Sequence, residues 1–260
     1  MTEAITPLVS LQGIGKVFAN GVTALAGFDL DIRAGEFISL LGPSGCGKST
    51  ALRIIAGLTH PTQGTVTWPA ASSADHRDDI GFVFQEPTLM PWANVADNVW
   101  LPLRLRGVSK SDARERIAQS LALVGLEDFA KAYPRELSGG MKMRASIARA
   151  LSMRPKLLLL DEPFAALDEI TRFKLNDDLL RLQRELRCTI VFVTHSIYES
   201  AYLSSRIAIM TTRPGCIAAE VEAVTPTERD PNFRASPRYA ALCQEVSRLL
   251  IGSVHDKGTE

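Results

Sequence analysis

The sequence predicts an α/β fold on a mostly parallel central sheet, and three observations carry that prediction. Leu157-Leu158-Leu159-Leu160 and Ile190-Val191-Phe192-Val193 are apolar without polar alternation, which suits central strands covered on both faces. Such runs alternate with helical spacing, as where Phe37-Ile38-Ser39-Leu40-Leu41 is followed by Thr50 to Ala56, a helix that Gly57 can close. Between those two lies Gly42-Pro43-Ser44-Gly45-Cys46-Gly47-Lys48-Ser49-Thr50, in the strand, loop, helix order that a phosphate cradle requires.

In chain order, strands are expected at Leu8 to Gln12, Phe28 to Ile32, Phe37 to Leu41, Thr65 to Trp68, Ile80 to Phe84, Leu157 to Leu160, Thr189 to Val193 and Arg206 to Thr211. Between Glu86 and Pro155 the strand signal nearly vanishes. Ser109 to Val124 sets Ile117, Leu121 and Val124 among charges, and Ser138 to Met153 reads as another helix that stops before Pro155. Residues 86–155 are accordingly expected to form an inserted α-helical subdomain within one domain spanning 1–260, with 1–85 and 156–225 forming the core. Residues 226–260 are expected to form a tail in which Pro226 to Pro237 is turn-rich and Arg238 to Ile251 is a last helix.

The totals narrow the function classes. A chain of 260 residues with 46% hydrophobic content can bury a substantial core. Lys plus Arg (29) equals Asp plus Glu (29), so no basic field favours nucleic acid as the main partner. No apolar stretch approaches the ~20 residues that span a bilayer. The N-terminus also lacks the charged and apolar regions of a signal peptide, so any membrane crossing is expected of another chain. Cys46, Cys188, Cys216 and Cys243 lie far apart, with neither zinc-site nor disulfide spacing, and a reducing, cytosolic setting is expected. Cys46 inside the glycine-rich run reads as a small tolerated side chain, with alkylation there as the alternative.

Three segments carry chemistry. In the run from Gly42 to Thr50 the glycines let backbone N–H groups curl around phosphate oxygens, Lys48 can reach the β- and γ-phosphates, and the Ser49 hydroxyl can serve Mg²⁺. Asp161-Glu162 closes the strand from Leu157, at the carboxyl end where open α/β sheets bind ligands. Asp161 can hold the Mg²⁺ shell and Glu162 can orient or deprotonate a water, the carboxylate tasks of γ-phosphate hydrolysis. Leu137-Ser138-Gly139-Gly140-Met141 places two glycines in the first turn of a helix, where each costs about 1 kcal/mol relative to Ala, so bare backbone is expected to approach something closely. Ser138 would serve as an N-cap, or would offer its hydroxyl and the following amides to a phosphate. Two phosphate-binding loops in one chain are most simply used across a dimer, the second loop of one copy closing over nucleotide held by the first loop of the other.

With these motifs in place, nearly the whole chain resembles the nucleotide-binding subunit of an ATP-binding cassette transporter. The resemblance implies a P-loop, RecA-like core with an antiparallel β subdomain, and ATP and Mg²⁺ as ligands. It makes Gly42 to Thr50 the Walker A loop, Gln85 the Q-loop glutamine that meets Mg²⁺ or the water, and Leu137 to Met141 the signature motif. Leu157 to Glu162 becomes Walker B, Ala166-Leu167-Asp168 the D-loop, and His195 the switch histidine that bonds the γ-phosphate. Phe18 is implied to stack on adenine, although a surface-facing hairpin residue is the competing reading. The implied partners are a second cassette, integral membrane permease subunits and a periplasmic or extracellular solute-binding protein, with the chain on the cytoplasmic face of the inner membrane. Met141 stands where the signature usually has glutamine, and Ala165 where a serine commonly precedes the D-loop.

The segment Phe82 to Trp92, with Asn98-Val99 soon after, resembles importers of the nitrate, sulfonate and taurine group. Trp92 and Trp100 could meet a helix of the membrane subunit or could belong to the helical core. Four other readings are weighed. A lipid-exporting or lipid-trafficking cassette is the nearest, and a DNA-repair or chromosome-organising ATPase is disfavoured because no sustained heptad run separates the motifs. A non-catalytic scaffold is argued against by Glu162 and His195, and a paired-cassette translation factor by the single set of motifs.

Overall fold

A computed structural model describes residues 6–69, 79–223 and 232–255. The chain divides into two compact units, residues 1–77 with 187–260, and residues 78–186. The second therefore takes in more chain than the helical segment expected at 86–155.

The first unit holds two sheets. Its antiparallel sheet has the order β2-β1-β4, with β1 at Val9–Val17, β2 at Thr23–Ile32 and β4 at Gln63–Thr67. The alternation of buried and exposed residues along β2 is what an antiparallel strand with one solvated face requires. The other strands run in the order β7-β3-β8-β9, with β3 at Phe37–Leu41, β7 at Thr189–Thr194, β8 at Arg206–Met210 and β9 at Ile217–Glu222. β3 is parallel to both β7 and β8, pairing Leu40 with Val193 and with Ala208, and all three strands are buried along their full length. β9 closes the edge antiparallel to β8. Helix α1 (Lys48–Ile55) leaves β3 through the glycine-rich loop, α6 (Ile197–Leu203) leaves β7, and α7 (Pro237–His255) packs on α6 and β8. Leu242 and Val246 of α7 are buried together with Leu41, Ile207, Ile209 and Val221.

In the second unit β5 (Ile80–Val83) pairs in parallel with β6 (Leu157–Asp161), and the other regular elements among the described residues are helices. The helices are α2 (Val95–Leu105), α3 (Arg114–Leu123), α4 (Gly139–Leu151) and α5 (Glu169–Leu186). Asn94 caps α2 by accepting the Asp97 amide at 2.8 Å. The fully buried Asn98 ties the incoming loop to the same helix through Met90, Ala93 and Asn94. Arg144 of α4 pairs with Asp178 of α5 at 2.8 Å.

Several boundaries differ from expectation. β1 and β2 are longer than read, because register shifts at Leu11/Ile14 and Ile14/Lys16 bend the pairing without ending it. α3 begins at Arg114, since Ser109 to Ala113 form turns bound to the Ser109 hydroxyl. α5, α6 and β9 were not expected. Residues 226–231 of the turn-rich stretch lie outside the described residues. No helix among the described residues is long and apolar enough to cross a membrane.

Candidate functional site

The expected site residues fall in both units, and each half has its own geometry. In the first unit, residues 42–50 leave the buried end of β3 and turn into α1. Gly45 and Gly47 adopt φ of +76° and +104°, a left-handed region open to glycine and strained for other residues. α1 starts at Gly47 without a side-chain cap and with no acidic residue in its first turn, so its amide end carries uncompensated positive potential. The Lys48 side chain is only 4% exposed, and its ammonium donates to the Gly42 and Pro43 carbonyls at 2.8 and 3.0 Å. A buried ammonium beside an uncapped helix start fits a polyphosphate. Ser49 follows Lys48 in the first turn of α1, where a hydroxyl suits a Mg²⁺ that keeps its other positions for phosphate and water.

Residues beyond the motif brace this loop. Arg213 Nε donates to the Gly45 carbonyl at 3.0 Å, and Gly215 pairs with β2 through Ala24 and Ala26. A Cβ at Gly215 would lie 2.0 Å from the Cys46 carbonyl oxygen, so a side chain there would displace the loop. Neither residue was singled out from sequence, because the contact joins positions about 170 residues apart. The Arg-Pro-Gly turn from 213 to 215 was the one available signal. Cys46 is buried. Phe18, 42% exposed, closes the hairpin between β1 and β2 through bonds to Val22 and Gly21, with the Lys16 ammonium 5.5 Å from its ring centroid. Phe18 thus holds the hairpin position of the competing reading. His195 is exposed in the turn between β7 and α6.

In the second unit, Asp161 is the buried last residue of β6 and Glu162 follows it, half-buried, at φ +44°. Gln85 is exposed just beyond β5. The chain after it is pinned by Arg149 of α4, which donates to the Pro87 and Thr88 carbonyls at 3.0 and 2.8 Å. Burial lowers the pKa of that guanidinium.

Ser138 caps α4 by accepting the Met141 amide at 3.3 Å. Of the two glycines, only Gly140 is closely approached among the described residues: a Cβ there would lie 2.8 Å from Thr171 Cγ2 of α5. At Gly139 it would meet Leu167 Cδ2 at an ordinary 3.4 Å, and Gly139 is exposed. Packing on α5 thus accounts for Gly140, and Gly139 keeps an open face. Asp168 caps α5, its carboxylate accepting the Thr171 amide at 3.0 Å, and that bond holds the carboxyl below its ordinary pKa. Trp92 is 77% exposed, whereas the Trp100 indole N–H donates to the Val108 carbonyl at 3.1 Å.

The family model described as ABC transporter matches residues 25–165. The chain belongs to the ABC transporter family. This ABC cassette is an ATPase, with ATP and Mg²⁺ as its nucleotide and metal. It is 38% identical over 253 residues to a nitrate import ATP-binding protein of Synechocystis, covering 94% of this chain and 95% of that one. An aliphatic sulfonates import ATP-binding protein of Pseudomonas syringae is 46% identical over 237 residues, covering 90% and 92%. A solved dimeric ATP-binding cassette in a post-hydrolysis state, bound to ADP and Pi, matches with a TM-score of 0.72 and 37% identity, over 83% of this ABC cassette and 99% of that chain. The importer group that residues 82–92 resemble is therefore the group of these relatives.

Proposed function

We propose that the chain powers import of a small oxyanion of the kind that nitrate and the sulfonates, taurine included, exemplify. The observation that carries the nucleotide half of this reading is the buried Lys48 ammonium over the uncapped, acid-free start of α1. The solute half is supported by the nitrate and sulfonate import relatives.

In this reading the amides of Gly45, Cys46 and Gly47 line the triphosphate with Gly42, Pro43 and Ser44, and Lys48 exchanges its two carbonyl partners for β- and γ-phosphate oxygens. Ser49, Thr50 and the start of α1 receive the phosphate chain, and Phe18 stacks on adenine, a contact worth about 1–3 kcal/mol in base–aromatic pairs. Ser49, Asp161 and Gln85 would hold Mg²⁺, whose charge offsets that of the phosphates as the γ-phosphoryl is transferred. Glu162 orients the attacking water and takes its proton, and His195 bonds the γ-phosphate. Ser138, Gly139 and Gly140 of a second copy close the site, with Asp168 beside them. The partners are a second cassette, membrane permease subunits and an external solute-binding protein, and the chain works at the cytoplasmic face of the inner membrane.

The test is reconstitution with the cognate permease and binding protein in vesicles. Nitrate, taurine or an alkanesulfonate should stimulate ATP hydrolysis and accumulate inside, and Lys48→Ala should abolish both by weakening ATP binding. Stimulation by a lipid and by none of these anions would replace importer with the lipid-trafficking reading.

A further inference from the structure

The turn that carries His195 is closed by hydrogen bonds that reach both of its neighbours. Ser196-Ile197-Tyr198-Glu199 has the spacing of a capping box, in which the N-cap hydroxyl accepts the amide of the third helical residue and that residue's carboxylate accepts the N-cap amide. The first half is formed: Ser196 Oγ accepts the Glu199 amide at 3.3 Å. The second half is rerouted. The Ser196 amide donates to Thr194 Oγ1 at 3.0 Å, and the Thr194 hydroxyl donates to Glu199 Oε2 at 2.5 Å. An ordinary box would leave Thr194 outside. Here its hydroxyl is inserted between the amide and the carboxylate, so the residues on either side of His195 are fixed to one another and to α6.

The burial is costly enough to call for a reason. Thr194, the last residue of β7, is 2% exposed, and Glu199 is 7% exposed on the inward side of a seven-residue helix whose Ala201 and Leu203 are fully buried. Burying a carboxylate costs several kcal/mol unless its partners are well placed, and a simple cap needs only Ser196. We propose that Thr194 and Glu199 are positioning residues for hydrolysis: through the rerouted box they aim the exposed His195 at the γ-phosphate. The inference rests on the reading of His195 given above. A misplacement of about 1 Å can cost about 10²-fold in rate, so loss of the Thr194 hydroxyl should act on turnover rather than on nucleotide affinity.

The experiment is a double-mutant cycle on the full chain assembled with its permease, reading the kcat of ATP hydrolysis, the affinity for a fluorescent ATP analogue and the thermal unfolding midpoint. Thr194→Val is expected to lower kcat by roughly tenfold, with affinity changed less than about twofold. Thr194→Ser keeps the hydroxyl and should return kcat to within about twofold of wild type. Added to His195→Ala, Thr194→Val should cause no further loss, because residues acting as a unit are not additive. Multiplicative losses, or failure of Thr194→Ser to rescue a chain with an unchanged unfolding midpoint, would overturn the positioning role while leaving His195 in place. A silent His195→Ala would overturn both readings.

Discussion

Glu162 holds φ +44°, a left-handed backbone that costs a residue with a Cβ about 1–2 kcal/mol. Replacement by glycine would relieve that strain. Glu162→Gly is therefore expected to unfold at a higher temperature than wild type while hydrolysing no ATP, and Glu162→Gln to keep ATP binding and lose at least ~10²-fold in turnover. Calorimetry beside a phosphate-release assay checks both, and wild-type turnover in Glu162→Gln would mean that another group serves the water. The two glycines of α4 separate packing from function in the same way. Gly140→Ala gains about 1 kcal/mol of helix propensity but sets a methyl 2.8 Å from Thr171 Cγ2, an overpacking that typically costs about 1–3 kcal/mol. Its unfolding midpoint should fall. Gly139→Ala makes only ordinary contact with Leu167, so it should fold at least as well as wild type and lose hydrolysis through its exposed methyl. Full activity in Gly139→Ala would remove this helix start from the site.

Arg206 on β8 joins four segments of the first unit. Its side chain is 3% exposed, donates to both Glu36 oxygens at 2.7 and 3.1 Å and to Glu220 at 2.9 Å, and also donates to the Asp31 carbonyl. Arg206→Ala would leave the largely buried Glu36 uncompensated and should cost about 3–5 kcal/mol in urea unfolding, with part recovered on adding Glu36→Ala. At α5 the Thr171 amide depresses the Asp168 pKa, so its capping contribution is complete above the ordinary carboxylate value and lost as pH falls through the lowered one. The protection of the Thr171 amide relative to its intrinsic exchange rate should fall in acid, and Asp168→Asn, an uncharged cap, should flatten that dependence. The buried strands β3, β6, β7 and β8 and the start of α1 were legible because unbroken apolar runs and the glycine-lysine loop are local signals. α5 escaped because Asn176 and Gln183 interrupt its buried stripe, and α6 because Glu199 and Ser200 face inward. β9 buries only Val221 fully, so it leaves a weak pattern. The candidate site was legible where motif spacing carries it. The Arg213–Gly215 brace, the packing of Gly140 on α5 and the cap made by Asp168 were not, since each depends on a contact or an orientation that spacing does not encode.

Two helix starts in this chain, those of α1 and α4, carry glycine and have no acidic residue in the first turn, so each can receive an anion. A single chain with two such starts is economically used by a pair of copies, each closing the other's nucleotide. Acidic and basic residues balance at 29 each, so two copies meet without the net repulsion that a highly charged chain would impose. Glu162→Gln holds ATP uncleaved and should double in mass by light scattering when Mg-ATP is added, returning to monomer when nucleotide is removed. Ser138→Asp in that background is the decisive control. Aspartate caps a helix as well as serine does, so α4 survives, but its charge would face the partner's triphosphate and should abolish the ATP-dependent dimer. If Glu162→Gln stays monomeric at saturating Mg-ATP even with its permease, or if Ser138→Asp dimerises unchanged, the nucleotide is not shared between copies, and hydrolysis must be coupled to import without an opening and closing pair.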